Sequence, residues 1–307
     1  MSTSVYELGM DILSLQSTNG RNPGKSVSVP NFLFSCAPDF LVEGLASGVK
    51  GMVGLGRHNI SLPNQFSTAF GFKKKLALCL TGGDGVIFFG DGPYEMLPGN
   101  TDLSQHLTYT SLILNHMTTS GSYFENETSA GYFIGLTAIN INGKRVKIDK
   151  KLLSIDQDGE VGTKISTVDP YTVLQSSIYK AFTKTFIKLL KKVPRVKAVK
   201  PFDVCFDAKS FSSTRVGPGE PPVDFVLQNN ETVWRIWGAN SMVYVNEKTL
   251  CLAFIDGGAE PRTSIVIGGY QLENNLLQFD LASKRLGFSG SLLFSQTTCS
   301  NINFTSV

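Results

Sequence analysis

Short apolar runs separated by Gly, Pro, Asn and Ser recur through most of the chain, a rhythm that predicts strands. Residues 11–15 alternate, a Gly/Asn/Pro turn occupies 19–24, and 27–34 continues as a second strand. Glycines punctuate 48–57, and Ser61-Leu62-Pro63-Asn64-Gln65-Phe66 reads as a short helix with Ser61 as its cap and proline in the first turn. Residues 76–80 and 85–89 read as strands joined at Thr81-Gly82-Gly83-Asp84, and Asn142-Gly143 marks a tight hairpin turn. One longer helix is predicted over 176–190. There Ile178, Phe182, Phe186, Leu189 and Leu190 fall at helical spacing, with Lys180, Lys184 and Lys188 on the opposite side. It ends before Pro194. The fold class predicted is all-β with few short helices.

Composition narrows the picture. A chain of 307 residues, 42% hydrophobic and 17% charged, is globular and long enough for two domains. No uninterrupted apolar run reaches the length of about 18 residues needed to span a membrane. The net charge of +3 is too small to indicate nucleic-acid binding. The basic run around Lys191, Lys192, Arg195, Lys197 and Lys200 has no interleaved aromatics, so it reads as a solvated helix end and loop. His58, His106 and His116 lack metal-ligand spacing, so no metal site and no cofactor are expected. Neither a Gly-x-Ser-x-Gly elbow nor a phosphate loop is present; Gly82-Gly83-Asp84-Gly85 is better read as a turn.

Glycosylation sequons stand at Asn59, Asn126, Asn230 and Asn303 and fit a secreted surface. Secreted proteins usually pair their cysteines, yet there are five, and the residues after Met1 do not form a signal peptide. Either the thiols are free in the cytosol, or the chain lacks a front segment; the second reading is preferred.

Three segments carry a resemblance. The closing stretch Ile265-Val266-Ile267-Gly268-Gly269-Tyr270, then Leu276-Leu277-Gln278-Phe279-Asp280 and Lys284-Arg285-Leu286-Gly287-Phe288-Ser289, resembles the last strands of pepsin-like aspartic proteases. Residues 51–57 resemble the Gly-rich turn of their first lobe. Gly162-Thr163-Lys164-Ile165-Ser166-Thr167-Val168 lines up with the second active-site loop, where active members carry Asp-Ser/Thr-Gly. Ser166 stands in the acid position, followed by Thr167, and Val168 replaces the glycine.

Two carboxylates sharing a proton are the engine of that chemistry, and a serine hydroxyl cannot take the place of one near neutral pH. Asp169, three residues on, is a poor rescue, because catalytic geometry tolerates only about half an ångström. No Asp-Thr-Gly or Asp-Ser-Gly occurs anywhere. The resemblance therefore implies a bilobal pepsin-like fold with an incomplete first lobe and no protease activity. The lobes divide into residues 1–129 and 130–307. It further implies disulfides Cys205–Cys251 and Cys79–Cys299, with Cys36 left without its partner.

Within that superfamily the chain is most similar to a plant group of inactive members, the TAXI-type xylanase inhibitors, extracellular dermal glycoprotein and basic 7S globulins. The likeness rests on Ser35-Cys36-Ala37-Pro38, Gly44-Leu45-Ala46-Ser47-Gly48-Val49, residues 162–174, Asn240-Ser241-Met242-Val243 and Thr298-Cys299-Ser300-Asn301. It implies a secreted apoplastic glycoprotein of plant defence that blocks a microbial glycoside hydrolase, a xyloglucan-specific endoglucanase or a xylanase. Retaining glycosidases present paired carboxylates in an open cleft, and an arginine fork suits such a target. Arg215, in Ser213-Thr214-Arg215-Val216-Gly217-Pro218-Gly219, and Leu293-Phe294-Ser295-Gln296 are the expected contacts. A merely solvated Arg215 is the alternative. Glucanase-blocking relatives tend to carry a second basic residue where Gln296 stands, and no histidine lies in this C-terminal region, which counts against a xylanase. Two other readings stay open: a storage or peptide- or carbohydrate-binding globulin, and an aspartic endopeptidase by family label only.

Overall fold

The computed structural model describes residues 6–43, 47–99, 101–117 and 128–301. Fifteen of its strands form the frame around the site. They are β1 (Leu8–Thr18), β2 (Pro23–Ser35), β3 (Lys75–Cys79), β4 (Val86–Phe89), β5 (Thr108–Ile113), β6 (Tyr132–Ile134), β7 (Leu136–Ile141), β8 (Thr163–Ile165), β9 (Thr172–Leu174), β10 (Val223–Leu227), β11 (Val233–Ile236), β12 (Phe254–Asp256), β13 (Ile265–Ile267), β14 (Leu276–Asp280) and β15 (Arg285–Phe288). Two helices matter: α1 (Leu62–Phe70) and α2 (Ser176–Leu189).

Ten strands make one sheet in the order β12-β9-β13-β8-β6-β5-β15-β14-β3-β4. Most neighbours are antiparallel, but β8 runs parallel to β13 and β9 parallel to β12. The closing strands β14 and β15 pair with β3 and β5, so the end of the chain is woven into strands from its first 113 residues. Asp280 clamps that junction. Fully buried, it receives Arg285 Nε at 3.2 Å and lies 3.5 Å from Lys75 Nζ. Burial works against its charge, but the Ser283 amide and hydroxyl, Lys75 and Arg285 hold its carboxyl below the usual range.

Helix α2 follows the predicted spacing. Ile178, Phe182 and Phe186 are buried, and Phe182 meets Phe254 with ring centroids 4.6 Å apart. Lys180, Lys184 and Lys188 face solvent, and the Gln175 side chain accepts from the amides of Ser177 and Ile178. Removing a buried ring such as that of Phe182 costs about 3–5 kcal/mol. The Asn142-Gly143 turn is formed with positive φ at both residues (49° and 74°), the geometry a two-residue hairpin loop demands.

Two expectations are corrected. Helix α1 begins after Ser61, but the Ser61 hydroxyl makes no capping bond and is buried without a partner; proline in the first turn and Gly71 in the left-handed region set its limits. The pairing in the first hairpin is also longer than its alternation suggested, because β1 and β2 carry bulges that keep them paired despite breaks in register. Disulfides join Cys79 to Cys299 and Cys205 to Cys251, and Cys36 is a free, exposed thiol. No helix among the described residues is long and apolar enough to cross a membrane.

Candidate functional site

Two places answer to the residues singled out by sequence. The first is the loop after β8. Several of its backbone groups are engaged: the Ser166 amide donates to Ile267 at 2.9 Å, and the Gly269 and Tyr270 amides donate to the carbonyls of Asp169 and Pro170 at 2.8 Å. The Ser166 hydroxyl accepts from the amides of Val168 (3.2 Å) and Asp169 (3.3 Å), so it closes a local turn. Gly268 permits this closeness, since a Cβ there would lie 2.3 Å from the carbonyl carbon of Tyr171. Thr167 and Val168 are exposed.

The Gly-rich turn also reaches this region. Tyr132, which pairs with Ile165, donates its hydroxyl to the Leu55 carbonyl, and the Arg57 guanidinium sits 5.3 Å over the Tyr132 ring. Burial pushes the Arg57 pKa down and the Tyr132 phenol up. The three resembling segments thus converge. What they frame among the described residues is the Ser166 hydroxyl and exposed Val168.

The second place is built from the 213–219 hairpin and the C-terminal turn. Ser213–Thr214 pairs with Gly217–Pro218, which leaves Arg215 and Val216 as a two-residue tip. Val216 is the anchor: its side chain is buried and its carbonyl accepts from the Ala239 amide at 2.7 Å. Gly217, at φ 95°, lies against Ala239, where a Cβ would come within 2.2 Å of its nitrogen. With Val216 turned inward, Arg215 projects outward.

A 3-10 turn, Leu292–Ser295, faces it, pinned by buried Leu292. Arg215 Nη1 donates to the Phe294 carbonyl at 3.2 Å, so the two expected contact segments meet across 79 positions of sequence. Phe294 is exposed, Leu293 is half-buried, and Gln296 closes the turn as an exposed residue at φ 55°. Arg215 pairs with no carboxylate among the described residues.

Sequence reasoning missed what lies beneath. The Phe294 ring meets Trp237 edge to face at 5.1 Å, and the Arg235 guanidinium lies 5.3 Å over the other aromatic, Trp237. Arg235 is in turn held by both Asp224 oxygens at 2.6 and 2.9 Å. The signal was present as opposite charges on two strands flanking Asn229-Asn230, and Asp224 and Arg235 do sit in register between β10 and β11. Glu220, just past the hairpin, was missed as well. Its carboxylate accepts from the Ser241 hydroxyl at 3.1 Å, and burial pushes its pKa up to about 7.

Of the sequons, Asn59 and Asn230 are exposed, while Asn126 and Asn303 lie outside the described residues. No group of three or more His, Cys, Asp or Glu among the described residues could hold a metal ion.

Comparison with known proteins gives this arrangement a family. Residues 1–91 match the sequence model "Xylanase inhibitor N-terminal", and residues 131–290 match "Xylanase inhibitor C-terminal". The chain is 56% identical over 304 residues to "Probable aspartic proteinase GIP2" of Nicotiana benthamiana, covering 98% of this chain and 69% of that protein. It is 45% identical to "Gamma conglutin 1" of Prunus dulcis, covering 97% of this chain and 66% of that protein. The crystal structure of edgp superposes with a TM-score of 0.94 at 53% identity, over 98% of this chain and 74% of that one. The chain thus spans about two thirds of the length of the curated relatives it matches. With both xylanase-inhibitor-type domains and a pepsin-like fold shared with these proteins, the chain belongs to the xylanase-inhibitor family of aspartic-protease-like proteins, alongside the gamma conglutins and basic 7S globulins.

Proposed function

We propose that this chain is a catalytically inactive aspartic-protease homologue that blocks a microbial glycoside hydrolase by protein–protein contact. The target class is a xyloglucan-specific endoglucanase or a xylanase, met outside the plant cell. One observation carries the reading: Arg215 and the 292–296 turn, far apart in sequence, form one exposed edge whose guanidinium pairs with no carboxylate among the described residues. Such a fork can enter a cleft and take two oxygens of a paired carboxylate site. Exposed Phe294, backed by Trp237, supplies apolar area beside it. The reading of inactivity as a protease is supported by Ser166, which by resemblance stands where active members carry an acid. Secretion is supported by the two disulfides and the exposed sequons Asn59 and Asn230. The proposed lobe boundary at 129–130 rests on the loop-forming residues of 119–130.

The test is a pull-down with a fungal xyloglucanase and a fungal xylanase, each against the chain and Arg215→Ala. Binding to one enzyme that Arg215→Ala weakens at least tenfold is the expected result. Binding to neither ends the reading, and acid-pH proteolysis blocked by pepstatin overturns the inactivity. A globulin that binds peptide or carbohydrate without an enzyme target is the second reading, favoured by the 45% identity to a gamma conglutin and by uncharged Gln296.

A further inference from the structure

We propose that the groove between α2 and the 144–147 segment is a binding site for a linear polyanionic glycan, one that carries carboxylates or sulfates. Lys180, Lys184 and Lys188 line one wall of this cavity of about 560 Å³, and Lys144, Arg145 and Lys147 line the other. All six are exposed. They are six of the chain's 28 basic residues, on a protein whose net charge is only +3. The positive field is therefore local.

None of the six pairs with a carboxylate among the described residues. Arg145 donates to the Thr137 carbonyl at 2.9 Å, a bond that orients it without neutralising it. Asp149 lines the adjoining cavity rather than this groove, and its carboxylate accepts from the Lys151 amide at 3.0 Å. Folding does not ask for this arrangement. Helix α2 is held by its other face, through Ile178, Phe182 and Phe186, and like charges four residues apart weaken a helix. Charges that oppose stability and converge on one concavity are explained by a ligand that neutralises them.

The lining selects the ligand class. The lysines on α2 recur about every 6 Å along its axis, which suits an extended chain of spaced anions. Five of the six cations are lysines, compact point charges rather than forks matched to planar groups. No aromatic side chain lines the groove, so bases have no stacking platform, which counts against single-stranded nucleic acid. Its apolar members, Ala181 and Leu189, are packed against the core, so nothing is placed to enter a lipid surface.

Retention of the full chain on immobilised polygalacturonate, dextran sulfate and neutral dextran tests the site, with a single-stranded oligonucleotide of matched charge as competitor. The chain is expected to bind one or both acidic glycans and to pass through neutral dextran. The two acidic arms distinguish carboxylate from sulfate. The triple variant K180Q/K184Q/K188Q should lose at least tenfold in affinity and show a shallower dependence on salt, because fewer counterions are released. The triple variant K197Q/K209Q/K248Q, with the same charge change outside the groove, should bind as the parent does. Melting curves of both variants verify folding. Equal losses in the two triples, equal retention on neutral dextran, stronger binding of the oligonucleotide, or no retention at all would each overturn the proposal.

Discussion

The loop after β8 and the tip of the 213–219 hairpin are both short turns beside a glycine, yet they are built in opposite ways. In the first, Ser166 is spent on its own turn, Asp169 and Pro170 lend their carbonyls to Gly269 and Tyr270, and Gly268 leaves no room for change. In the second, Val216 is buried and Gly217 lies against Ala239, while Arg215 is exposed and held to the protein by one bond to the Phe294 carbonyl. A turn that uses its own side chain and carbonyls to hold itself and its neighbours supports a fold. A turn that anchors one residue in order to present the next can serve a partner.

The largest effect should come from testing the rigid side. Gly268→Ala forces a methyl into the Tyr171 backbone and should cost about 3 kcal/mol, read as a lowered midpoint in denaturant unfolding. A midpoint unchanged by this variant would break the contrast.

A smaller effect lies at the base of the presenting loop. Glu220 is more easily protonated in the folded state than in the unfolded chain, so its contribution is complete at low pH and is lost as pH rises from the usual glutamate range through about 7. Between pH 5 and pH 8 the parent should lose about 2 kcal/mol at this group, after allowance for its partial solvent contact. Glu220→Gln should flatten that slope, which chemical unfolding at several pH values would measure.

Next, Phe294→Ala should weaken target binding by about 1 kcal/mol with a change in stability below about 0.5 kcal/mol, since its ring is exposed and touches Trp237 from one side. Titration calorimetry beside a thermal melt separates the two. The smallest change expected is Ser166→Asp. A carboxylate can accept the same two amide hydrogens, so stability should move by less than about 1 kcal/mol, and no pepstatin-sensitive proteolysis should appear in an acid-pH casein assay.

Much of the frame is local in origin and was readable. Helix α2 declares itself because a 3.6-residue period of large apolar side chains has one way to be buried. The Asn142-Gly143 turn does so because its positive φ values suit those two residues. The meeting of Arg215 with Phe294 was not readable, since both segments lack periodicity and the contact depends on how β14 and β15 return to the first half of the chain. Nothing in the sequence around Trp237 places its ring between Arg235 and Phe294, a contact that only the fold makes.

By itself the sequence determined the strand-rich class and the long helix with its lysine face, because each depends on residue type at short range. Tertiary structure alone decided which loops form one edge, that desolvation raises the Glu220 pKa, and that the lysines of α2 face Lys144, Arg145 and Lys147 across a groove. Those outcomes depend on long-range pairing and on desolvation, and neither is a property of any short stretch of chain.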